Sequence, residues 1–370
     1  MNVLVVPDKF KGTLTAQEAA EAITRGWRKL RPQDHLESLP MSDGGDGFGA
    51  ILGRLLDAEP RRAKTEDAAH RPIHADWWWN ASARTAIIES ARVIGLAMLP
   101  PGQFTPLDLD TYGLGILLGA AAAEGTRHCV IGVGGSATND GGFGLARALG
   151  WHFLRANKTR IARWTELTDL SSVQPPERPV LFDDLTVAVD VRNPLLGPTG
   201  CSRVYGPQKG LVDFDLAERA LGRLAAVIAE HTHVSWEIEP GAGAAGGLGF
   251  GLLAFAGGRL EMGIDVFKRY AMLEDRIRVA QLVITGEGAI DAQSLMGKGV
   301  GEIATLCGTL GVPCIGIAGA ILERMREQTI FHALYALTPD LTDQASALRD
   351  AASWLERAAA QAAGRWDETT

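Results

Sequence analysis

The chain has 370 residues, 46% of them hydrophobic, enough for a substantial core and, by length, about two or three domains. Thirty-six lysines and arginines against 44 aspartates and glutamates leave a formal charge of -8 and a pI near 5.6, with no basic run. That balance excludes a protein that tracks nucleic acid, and the longest uncharged stretch, residues 241–258, is too rich in Gly and Ala to span a membrane.

In chain order, residues 2–6 form a β-branched run that Pro7 is expected to stop, because proline cannot donate to a central ladder. Thr15 and Glu18 then form a Thr-x-x-Glu capping box, and Ala19, Ile23, Trp27 and Leu30 carry one apolar helical stripe. Lys9 and Lys11 therefore lie on a strand-to-helix loop. In an open α/β sheet that loop faces a helix amino terminus, whose free N–H groups attract anions. The pair marks either a phosphate or carboxylate site or two solvated surface ammonium groups.

Residues 60–90 differ in character. They read as antiparallel strands joined by an Asn-Ala-Ser turn, a second structural unit inserted after the first. Trp77, Trp78 and Trp79 either stack on a base or supply core on one face and a half-covered aromatic on the other. Beyond them, apolar strand runs at 128–133, 185–191, 281–286 and 313–319 alternate with helices at 215–230 and about 345–363, the pattern of an α/β protein. Cys129, Cys201, Cys307 and Cys314 make no C-x-x-C pair and no zinc spacing, and no basic segment with a long apolar run opens the chain. Reduced, buried thiols in a cytoplasmic protein without a signal peptide are expected.

Four more loops are rich in Gly and acid. "SDGGDG" (42–47) sets Asp43 and Asp46 among glycines. "GVGGSATNDGG" (132–142) leaves one strand and opens a helix near Phe143. "AVDVRNPLLGPTG" (188–200) places Asp190 at a strand end, with Asn193 after it, and "ITGEGAIDAQSLMGKG" (284–299) is expected to combine Glu287, Asp291 and Lys298 in one turn. Each loop alone reads equally well as a Gly-rich turn with an Asp cap. Five of them following strands point to one crevice beyond strand ends.

Familiar motifs fail on context. Gly241, Gly243 and Gly246 satisfy G-x-G-x-x-G but follow "EIEP" rather than a strand, and "GVGGSA" has no acid about twenty residues on to hold a ribose. "MGKG" lacks the earlier glycine and the following Ser or Thr of a Walker A loop. His231 and His233 read as a solvated pair, and there is no nucleophile elbow. Lysines and glycines that neutralise phosphates, with aspartates for Mg²⁺ or a hydroxyl proton, are the equipment of phosphoryl transfer.

In order, "PDKFKGTLTA", "SDGGDG", "TYGLG", "GVGGSATNDGG", "DVRNPLLGP", "YGPQKG", "PGAGAAGGLG" and "ITGEGAIDAQSLMGKG" resemble the bacterial glycerate kinase family, over residues 3 to about 359. The resemblance implies an α/β fold of two domains. One is a flavodoxin/Rossmann-like three-layer domain of residues 1–62 and 283–370, the other an inserted mixed-sheet domain of 63–282, with the active site in the cleft between them. It implies a cytoplasmic transferase, monomeric or homodimeric, that passes the γ-phosphoryl group of ATP to D-glycerate with Mg²⁺, commonly at the 2-hydroxyl to give 2-phosphoglycerate. No nucleic-acid or membrane partner is expected.

Position by position, Lys11 falls on the family's shared lysine, whereas Lys9 sits where many members carry Ser. Lys11 is expected to neutralise a transferring phosphate or the glycerate carboxylate. Asp190 is expected to act on the acceptor hydroxyl, or else merely to cap its turn. The matched motifs also imply substrate contacts at Asp8, Lys9, Asn193 and Lys209. Asp43 would help hold Mg²⁺. The nucleotide would meet Gly134, Gly135, Ser136, Asn139, Asp140, Glu287, Gly288, Asp291 and Lys298. Three departures bear on the acceptor: Leu114 replaces a usual Thr, Ala289 a commonly polar residue, and residues 157–172 are shortened. A kinase of another small 2-hydroxy acid and a non-catalytic glycerate or nucleotide sensor remain the alternatives.

Overall fold

The computed structural model describes residues 1–177, 181–291, 299–322 and 330–369. The strands begin with β1 (Asn2–Pro7), β2 (His35–Ser38), β3 (Glu59–Glu66), β4 (Pro72–Asn80), β5 (Thr85–Glu89) and β6 (His128–Gly132). Next come β7 (His152–Leu154), β8 (Ser172–Gln174), β9 (Asp184–Val189) and β10 (Arg259–Met262), then β11 (Leu282–Ile290), β12 (Cys314–Ile321) and β13 (Ala333–Thr338). They fall into two compact units, Met1–Asp43 with Phe267–Thr370, and Gly44–Val266.

The first unit holds a wholly parallel sheet in the order β13-β12-β11-β1-β2. Counted along its own five strands this is 2-1-3-4-5, the flavodoxin-like order, which reverses between β1 and β11. Both sheet faces are covered, so β1 is buried from Val3 onward and reads as an unbroken apolar run. Val3, Val5, Ile284 and Ile317 pack with Ile23, Trp27 and Leu355 in its core. Helix Ala16–Leu30 starts at the expected capping box, with both reciprocal hydrogen bonds between Thr15 and Glu18 present. It lies so close to helix Ala351–Thr369 that a Cβ on Gly26 would stand 2.1 Å from the Glu356 carbonyl oxygen.

The second unit holds a six-stranded mixed sheet, β10-β9-β6-β5-β4-β3, parallel from β10 to β5 and antiparallel beyond, and a separate β7–β8 hairpin. Trp77 and Trp79 enter its core. Between them Trp78 lies on helix Phe48–Leu55, where a Cβ on Gly49 would stand 1.9 Å from its ring, and Arg92 stacks over it at 5.1 Å. The tryptophan run is packing, not a platform for a base. All four cysteines are buried and free.

The α/β class is as expected, and the differences are local. Pro7 continues β1 in register with Gly286, Leu30 is 57% exposed rather than part of the stripe, and the last helical stretch breaks at Asp350 into Gln344–Arg349 and Ala351–Thr369. The two-unit division falls earlier than residues 62 and 282. The reason is packing: helix Phe48–Leu55 seats Trp78 of the mixed sheet, and helix Leu273–Val279 packs against β1. Among the described residues no helix is long and apolar enough to cross a membrane.

Candidate active site

In the first unit, several of the candidate side chains gather where the strand order reverses. Asp8 follows β1 directly, and its N–H donates to the Gly286 carbonyl at 2.8 Å, which ties it to β11. The N–H groups of Leu39 and Met41 donate to the carbonyls of Val5 and Pro7, so the chain after β2 runs beside β1 and delivers Asp43 to the same end. Glu287 and Gly288 lie within β11, not in a turn, because Glu287 and Ala289 remain in register with Ala318 and Ala320 of β12. That is a correction to the loop expected from the Gly-Glu-Gly sequence.

Asp8 feels the charges of the other two carboxylates. Burial, then the charges of Asp43 and Glu287, push the Asp8 carboxyl up to about 8, against the pull of the Lys9 N–H, which donates to Asp8 Oδ1 at 2.7 Å, and of the Lys9 charge. Gly288 passes close to the loop after β1, where a Cβ would stand 3.2 Å from the Lys11 backbone nitrogen. Lys11 is exposed and makes no ion pair among the described residues. Asp291 follows β11, and Lys298 lies outside the described residues.

In the second unit the loop after β6 meets another glycine loop. Gly134 donates its N–H to the Gly44 carbonyl at 3.1 Å, and a Cβ on it would stand 2.7 Å from the Gly45 Cα, so two backbones touch where side chains cannot fit. Gly135 turns the loop at φ +74°. Lys209, 8% exposed, reaches under it and donates from Nζ to Ser136 Oγ at 2.9 Å and to the Thr138 carbonyl at 2.7 Å. Burial lowers this ammonium to about 8, partly offset by Cys201, Asp140 and Asp190.

Asn139 donates to Ser202 Oγ at 2.9 Å, while its buried Oδ1 has no hydrogen-bond partner among the described residues. Asp140 is fully buried and engaged: Oδ2 accepts from the Thr111 N–H and hydroxyl at 3.0 and 2.8 Å and from the Gly144 N–H at 2.9 Å. Burial, followed by the charge of Asp110, still pushes it up to about 6. These bonds tie the carboxylate to Thr111 and Gly144 and so fix the shape of the loop.

Asp190 is the first residue after β9 and is half-buried. Its charge reaches both Lys209 and Tyr205, whose phenol is pushed up to about 12, by burial first. Tyr205 donates to Asn193 Oδ1 at 2.6 Å, and Asn193 Nδ2 donates to the Thr199 carbonyl at 2.7 Å. Sequence reasoning missed Tyr205 and Thr111, although both stand inside the quoted motifs "YGPQKG" and "TYGLG". Leu114 is fully buried in the core of its unit, so that departure bears on packing.

Thus Asp8, Lys9, Asp43 and Glu287 are brought together in one unit, and Ser136, Asp140, Asp190, Asn193 and Lys209 in the other. The comparisons with known proteins agree in one direction. A glycerate kinase of Halalkalibacterium halodurans is 37% identical over 384 residues, covering 100% of both chains. Glycerate 2-kinase of Escherichia coli is 37% identical over 87% of this chain and 86% of its own length. The crystal structure of a glycerate kinase 2 from Salmonella typhimurium LT2 superposes with a TM-score of 0.84 at 34% identity, over 100% of this chain and 98% of that one. With the sequence model of the Glycerate kinase family matching residues 3–367 as well, the chain belongs to that family.

Proposed function

We propose that this kinase transfers the γ-phosphoryl group of ATP to the 2-hydroxyl of D-glycerate, giving 2-phosphoglycerate, with Mg²⁺. The observation that carries this reading is the set of three carboxylates around the order reversal: Asp8 directly after β1, Asp43 on the chain after β2, and Glu287 within the carboxyl-terminal half of β11. Open α/β sheets bind ligands there. Like charges so placed favour a divalent cation, and among the described residues no three His, Cys, Asp or Glu side chains could hold a metal ion by themselves. That donor set fits Mg²⁺, which takes one or two carboxylates and fills its shell with water and phosphate oxygens. Asp43 and Asp8 would hold it, and it would neutralise charge on the transferring phosphate.

The chain's own residues supply the rest. Lys11, exposed and without an ion pair among the described residues, neutralises an anionic group of the reactants. Asp190, its backbone fixed by β9, accepts the proton of the acceptor hydroxyl. Lys209 and Asn193 present donors to the acceptor, and residues 134–136 and 139 give the nucleotide phosphates a backbone-lined loop.

The test is to incubate the purified protein with D-glycerate and MgATP and identify the product by NMR. A phosphate on C2 is expected. No ATP consumption above background with D-glycerate, together with turnover of a different hydroxy acid, would overturn the acceptor. Ligand binding without any turnover would establish a sensor instead.

A further inference from the structure

A cavity of about 260 Å³ opens at the carboxyl ends of β11, β12 and β13, entirely within the first unit. Its floor is apolar and buried, made by Phe10, Leu337, Ala347 and Ala351. Lys11, Gln344 and Leu348, all exposed, also line it, and Leu348 leaves 57% of its surface uncovered. Among the described residues neither the Lys11 ammonium nor the Gln344 amide has a hydrogen-bond partner.

We propose that this cavity seats the base and sugar of the donor nucleotide, with Lys11 facing its phosphates. The proposal rests on the reading of the donor as ATP and fixes where the donor binds. Three features select this class of ligand. The apolar floor gains nothing from glycerate, a small anion with no apolar face, but it matches the face of a planar ring. Gln344 offers a donor and an acceptor side by side, the pairing a purine edge requires. The volume lies just under the range of about 300–1,000 Å³ that encloses drug-sized ligands, so it takes a nucleoside and leaves the phosphates outside, on the side of a cation. Lys11 thereby belongs to the phosphate end of the donor, not to the glycerate carboxylate.

The experiment is calorimetric titration of the full chain with MgADP and with adenosine, which lacks the phosphates, for the wild type, Leu348→Asp and Ala351→Phe. Wild type should bind both, in competition. Each variant should weaken both by about tenfold or more, equivalent to ~1.4 kcal/mol. Leu348 is exposed, so its variant keeps the fold if Ala351→Phe does not. Unchanged affinities in the variants, adenosine that fails to compete with MgADP, or a wild type with no affinity for MgADP would each overturn the assignment. Turnover of D-glycerate and ATP, followed in parallel, separates the two readings. Turnover with unaltered variant affinities sinks the cavity alone, and weakened variants without glycerate phosphorylation sink the acceptor alone.

Discussion

Lys209 Nζ stands 2.9 Å from Ser136 Oγ, so a buried cation is tied to the glycine loop that follows β6. Its low value, about 8 against 10.5 for an ordinary lysine, gives two pH effects of opposite sign. The charged form is the donor, so kcat/KM should fall as pH rises through about 8. Between about 8 and 10.5 the unfolded chain holds a proton that the folded chain has released, so stability should rise with pH there. Lys209→Met leaves the Thr138 carbonyl and Ser136 without this donor, at a cost of about 1–3 kcal/mol. It should also abolish the stability gain above pH 8. Pairing pH–rate profiles with thermal melts checks both, and a wild-type alkaline limb near 10.5 would remove Lys209 from the active site.

Lys11→Ala should lower kcat by about 100-fold to 1,000-fold, the usual loss for one preorganised electrostatic donor. The fold should stay intact, because the residue is exposed and unpaired among the described residues. Lys9→Ala should hurt less, since the hydrogen bond to Asp8 comes from the Lys9 backbone, which the substitution keeps. Wild-type kcat and KM in Lys11→Ala would mean that the ammonium is simply solvated.

His70 sits between Glu66 and Asp110, with Nε2 3.3 Å from Asp110 Oδ2, and these partners push it up to about 9. A raised histidine stabilises fully below its unfolded value of 6.5, and the effect fades as pH rises through about 9. His70→Gln should therefore melt lower than wild type at pH 6 and equally at pH 10. With 46% of the side chain exposed, screening holds the difference under about 1 kcal/mol. A constant gap at both pH values would assign the effect to packing.

Local signals were legible in the sequence, and long-range ones were not. Thr15 and Glu18 announce their helix because a capping box lies within one turn. The parallel part of the mixed sheet is legible in runs such as residues 129–133, which are buried throughout and have no polar face to show. Gly286, Glu287 and Gly288 read as a turn, yet pairing with β12 holds them extended, a case of tertiary context overriding propensity. Asp140 looks like a ligand among glycines, and only the fold reveals Thr111 and Gly144 as its partners. The boundary near 43 is invisible locally, because it depends on Trp78 closing over Gly49 and Gly53.

Asp190→Asn keeps the shape of the side chain and removes its charge. A base on the acceptor hydroxyl predicts a fall in kcat of about 100-fold or more with thermal stability nearly unchanged. A residue that only caps the turn through Asn193 and Pro194 predicts the reverse, lower stability at wild-type kcat. Activity restored by raising Mg²⁺ would mean that Asp190 holds the metal and Asp43 serves the acceptor.

Asp8 supplies the sharpest test of the metal site, because its carboxyl stands near 8 where an unperturbed aspartate stands at 3.8. In metal-free protein, the folded chain holds a proton between those values that the unfolded chain has lost, so stability falls as pH rises across that window. Burial and the charges of Asp43 and Glu287 are the cause. Asp8→Asn removes the penalty. With chelator present the variant should match wild type below pH 3.8 and exceed it above pH 8, by at least ~1 kcal/mol, while losing activity. Mg²⁺ binds only the folded site, so it should raise the melting temperature of wild type at pH 8.5 and narrow the gap. A variant less stable than wild type at pH 8.5, or one that Mg²⁺ stabilises as strongly as wild type, would show that Asp8 is a structural carboxylate and that the cation is held without it.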